Sequence, residues 1–77
     1  MTPAAFREHV FDRIADAETR AAAEDSLCLT LTGRDFRSFG ARYTLLAENP
    51  DRTKTVGYTL AQARTILARL DAALADA

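Results

Sequence analysis

Three kinds of side chain in this 77-residue sequence could do chemistry: one thiol, one imidazole and a few carboxylates close to turns. Cys28 is the only cysteine and His9 the only histidine. Together they cannot supply the four ligands of a structural zinc, and a lone cysteine cannot close an intrachain disulfide. A nucleophilic Cys28 needs an activating base, and no histidine lies near it in sequence. Asp35, Glu48 and Asp51 could be read as an acid/base set, but Asp35 and Asp51 fall where turns ordinarily recruit Asp. The glycines are isolated at Gly33, Gly40 and Gly57, so no phosphate-cradling loop or nucleophile elbow is present. The sequence therefore predicts no catalytic residues, no metal site and no cofactor, and it reads as a non-enzyme.

Charge directs attention elsewhere. The formal net charge is −1, which gives no whole-chain argument for nucleic acid or membrane. Its distribution is uneven: residues 1–32 sum to −3 and residues 33–58 to +2. Arg34, Arg37, Arg42, Arg52 and Lys54, interleaved with Phe36, Phe39, Tyr43 and Tyr58, could form a nucleic-acid surface of phosphate contacts and stacking platforms. Acids at Glu8, Asp12 and Asp16 and the absence of an apolar run predict neither a secretory signal nor a membrane span in this stretch. A reducing, cytoplasmic setting agrees with the single thiol.

The elements that would position these groups are signed to different degrees. Thr2 followed by Pro3 reads as an N-cap and first helical position, and Phe6, Val10, Ile14, Ala17 and Ala21 recur at helical spacing. This predicts a helix from Pro3 to Ala23. Leu27, Leu29 and Leu31 alternate with Cys28, Thr30 and Thr32, the period of a half-buried strand that ends at Gly33. At the other end, Leu60, Ala63, Leu67, Leu70 and Leu74 form one helical stripe, widened by Ile66, and Thr59 with Gln62 makes a capping box.

Between them, residues 34–48 are ambiguous. Phe36, Phe39, Tyr43 and Leu46 fit a helix, yet Gly40 would sit inside it. Asn49-Pro50-Asp51-Arg52 suits a type I turn, and Thr53–Val56 beyond it reads as a strand. Pairing Leu45 with Val56 and Tyr43 with Tyr58 yields one apolar face, so the pattern favours a hairpin.

The expected fold is thus α+β over residues 1–77 as a single compact domain. Its order is a helix, a three-stranded antiparallel meander and a helix, with both helices packed on one sheet face. The alternative is a mostly α chain with 34–48 helical. In the meander, Leu27, Leu29, Leu31, Leu45 and Val56 face the core, while Cys28, Thr30, Arg42, Thr44, Leu46 and Thr55 lie on the open face.

Leu46 is the misfit there, because it must point outward if Leu45 points inward. The outward Leu46, with Arg42, Thr44 and Thr55 around it, is the expected partner-binding surface. A small non-catalytic interaction module follows: an adaptor, inhibitor or assembly subunit of the kind phages and mobile elements carry. Its partner would be another protein or a second copy of the chain. The alternative function is nucleic-acid binding through Arg34, Arg37, Arg42, Arg52 and Lys54.

Overall fold

A computed structural model describes residues 2–40, 46–48 and 51–76. Among them run α1 (Pro3–Thr19), β1 (Leu27–Leu31), α2 (Gly33–Phe39), β2 (Val56–Thr59) and α3 (Leu60–Ala75), an α+β arrangement.

Local signals account for both long helices. The Thr2 hydroxyl accepts from the Ala5 amide at 3.1 Å with Pro3 in the first turn. The Thr59 hydroxyl accepts from the Gln62 amide at 3.2 Å, and the Gln62 carbonyl oxygen accepts from the Thr59 amide at 2.9 Å. Helix α1 stops earlier than its pattern suggests. Ala21 adopts φ 52°, and the Ala22 and Ala21 amides donate back to the Ala17 and Glu18 carbonyls at 2.9 and 3.0 Å. This is a Schellman motif built on alanine where glycine is usual, and Ala22 packs against the core beside it.

The two long helices run antiparallel. Arg7 near the start of α1 meets Asp71 near the end of α3 at 2.8 Å, while Arg64 pairs with Glu18 and Glu24 beyond the other end. Both helices pack on β1. One buried cluster holds Phe6, Val10, Ile14 and Ala17 of α1, Leu29 and Leu31 of β1, and Leu60, Ala63, Ile66 and Leu70 of α3. Phe39 joins it from α2, its ring stacked on Phe6 with centroids 4.0 Å apart.

The predicted three-stranded meander is not found among the described residues. The described residues hold two strands, and β1 pairs directly with β2, antiparallel, with Leu31 opposite Val56, Thr30 opposite Gly57 and Leu29 opposite Tyr58. Residues 33–39, expected to open with a turn, form α2, and Leu46 is helical rather than extended. Arg42, Tyr43, Thr44 and Leu45, the heart of the expected middle strand, lie outside the described residues. The physical reason lies at Thr32. Its hydroxyl accepts from the Asp35 amide at 3.2 Å and its amide donates to the Asp35 carboxylate at 2.8 Å, a second capping box that starts a helix just where β1 ends.

Two further expectations reverse. Leu27, assigned to the core, is 68% exposed, and Cys28, assigned to the open face, is 2% exposed. A β-bulge between Leu27 and Leu29 inserts one extra residue on β1, which turns Cys28 inward and breaks the alternation. Leu46 does not face outward from a sheet. It is half-buried, helical and packs against the core.

Candidate functional site

Strand β2 runs straight into α3 at Thr59, which ends the one and caps the other. The geometry leaves a cleft of about 330 Å³ between β2, the first half of α3 and the turn at Ala47–Glu48. Ala47, Val56 and Ile66 make its apolar walls, Gln62 and Thr65 line it from α3, and Glu48 and Arg69 also border it.

The charged pair is self-contained. Arg69 Nη2 binds the Glu48 carboxylate and its Nη1 donates to the Leu46 carbonyl at 3.3 Å, which ties the turn to α3. Glu48 holds this position with φ 59°. Tyr58 behaves differently. It lines the cleft, is only 6% exposed, and its hydroxyl has no hydrogen-bond partner among the described residues. Burial first, and the neighbouring Glu48 charge second, push its ionisation upward, so the phenol keeps its proton and remains a donor.

The groups singled out for chemistry do not converge. His9 is exposed on α1. The Cys28 thiol donates to the Arg13 carbonyl at 3.4 Å, and Arg13 Nε donates to the Cys28 carbonyl at 3.3 Å. Burial raises the thiol's pKa against the lowering influence of Arg13, Arg20 and Arg64, so it stays neutral and packs as a small core residue. Asp35 is spent on its capping box. Asp51 accepts from the Thr53 amide at 2.9 Å and hydroxyl at 2.6 Å, hydrogen bonds that lower its pKa. Among the described residues no three His, Cys, Asp or Glu side chains gather to hold a metal ion.

The sequence-predicted binding residues separate. Leu46 and Thr55 each stand next to a wall of the cleft, at Ala47 and Val56, with Thr55 exposed. Arg42 and Thr44 lie outside the described residues. Of the basic set, Arg34 and Arg37 are exposed on α2, and Arg52 Nη2 donates to the Arg37 carbonyl at 3.3 Å. Lys54 is exposed, 3.9 Å from Asp51. Phe36, Phe39 and Tyr58, read as stacking platforms, are all buried in the core.

Sequence reasoning missed Tyr58 and Arg69 as cleft residues. Arg69 and Glu48 are 21 positions apart, and no periodicity links such a pair. A signal did exist for the neighbouring α2, in the Thr32-x-x-Asp35 spacing. Among the described residues no helix is long and apolar enough to cross a membrane. No protein family, curated protein or solved structure matches this chain.

Proposed function

We propose that this chain is a small protein-interaction module that binds without catalysing. The observation that supports the reading is the character of the cleft. Its walls are apolar and the two charged side chains at its border pair with each other. Such a site offers burial, and among the described residues it lacks the poised acid, base or nucleophile that bond-making requires. Leu46 and Thr55 are the chain neighbours of the cleft residues Ala47 and Val56. An adaptor, inhibitor or assembly subunit, of the kind encoded by phages or mobile elements and working in a reducing cytoplasm, fits this chemistry. Its partner is another protein or a second copy of the chain.

Thr65 provides the test, because it is exposed on α3 and borders the cleft. Light scattering at micromolar concentration and affinity capture from the source cells are run side by side on wild type and Thr65→Trp. The module reading expects a complex that the tryptophan abolishes. A strict monomer that captures nothing counts against it.

The Arg52 to Arg37 contact favours a second reading as a nucleic-acid binder using Arg34, Arg37, Arg52 and Lys54. Its affinity would fall steeply with salt, because each phosphate contact releases counterions. Absence of any DNA or RNA retardation at low salt removes it.

A further inference from the structure

Three consecutive residues of β2, namely Val56, Gly57 and Tyr58, line the cleft. Side chains alternate between the faces of a strand, so a cleft touched by three in succession runs along the strand's edge. One edge of β2 pairs with β1, and among the described residues no strand pairs the other. In an antiparallel pair, alternate residues turn their N–H and C=O groups away from the partner strand. The cleft therefore combines apolar walls with a strand edge that, among the described residues, no strand pairs.

From this geometry we infer that an extended segment of a partner protein adds to the free edge of β2, placing one uncharged apolar side chain in the cleft. The inference rests on the interaction-module reading and names the occupant. Strand addition uses main-chain hydrogen bonds for affinity and a pocket for alternate side chains for specificity, which matches the parts assembled here. The volume of about 330 Å³ lies at the low end of the roughly 300–1,000 Å³ of ligand sites, so it suits one large side chain. Neutrality follows from Arg69. Its guanidinium is already shared between Glu48 and the Leu46 carbonyl, so a charged occupant finds no free counter-charge and would have to break that pair.

A phage-displayed random dodecapeptide library selected against the full chain supplies the probe. The selected peptide, made synthetically, is titrated into wild type and Thr65→Trp, and Thr65→Trp abolishes binding. N-methylation along the peptide disrupts binding at alternate positions only, the period-two signature of a strand ladder. A peptide indifferent to Thr65→Trp, or to the parity of methylation, overturns strand addition here while leaving an interaction module in place. A library without binders, beside a dimer that Thr65→Trp dissociates, makes a second copy the occupant and also overturns it. A library without binders and a strict monomer overturn both readings.

Discussion

Along the seam between α1 and α3, polar side chains find partners at the rim of the core: Arg7 meets Asp71, and Arg64 meets Glu18 and Glu24. Across the molecule, around α2, β2 and the turns that face them, Arg52 Nε and Tyr58 Oη are buried with no partner among the described residues. Both regions border the same apolar cluster, so the contrast is not one of burial. It concerns what the polar groups are left to do. The seam's ion pairs are solvent-exposed and screened, so that side is held by its core. The β2 side tolerates two unsatisfied donors, the Tyr58 hydroxyl alone costing about 1–3 kcal/mol, in a fold with modest stability to spare.

The sharpest way to break this contrast is to weaken the framework. Leu70 is fully buried, and Leu70→Ala costs about 2–5 kcal/mol, read as a lower denaturation midpoint that also destroys the cleft. Gly33 tests the other side. A Cβ there would sit 2.7 Å from the Thr53 carbonyl oxygen, which is backbone and cannot swing aside. Gly33→Ala therefore costs about 1–3 kcal/mol by denaturant titration, and hydrogen exchange should locate the loss at α2 and residues 51–55. Smallest is Tyr58→Phe. Removing an unpaired buried hydroxyl stabilises the chain by about 1 kcal/mol in thermal melts. A fall in stability instead would mean that the hydroxyl is satisfied within the fold and that the contrast fails.

How much of this was legible depends on the range of each signal. The Thr2–Pro3 start and the Thr59–Gln62 box involve neighbours within one helical turn, and both stand as read. Thr32–Asp35 has the same spacing and carries the same information, but Gly33 between them reads as a terminator. Its small size serves instead to admit the Thr53 backbone, a contact between residues far apart in sequence. The hairpin inference matched Val56 to its near neighbour Leu45, whereas Val56 pairs with Leu31. Alternation alone cannot choose between two partners that are both leucines. Nor can it foresee a bulge, and the exchange of Leu27 for Cys28 in the core depended on one. The cleft was the least legible feature, since its parts come from β2, α3 and the earlier turn at Ala47–Glu48 and meet only after the strands have chosen each other. Leu46 and Thr55 drew attention to that neighbourhood for a reason the fold does not share.

The alanine at the end of α1 carries a stereochemical consequence. Ala21 sits at φ 52°, in a region that costs an L-residue roughly 1 kcal/mol and that its mirror image occupies freely. A chain of this length is within reach of chemical synthesis. Inverting the single α-carbon of residue 21 changes no atom count, charge or polarity. It should nonetheless raise the melting temperature, while the same inversion at Ala17, inside the helix, should lower it. Handedness at one carbon is thus a term in this protein's stability that no side-chain contact records.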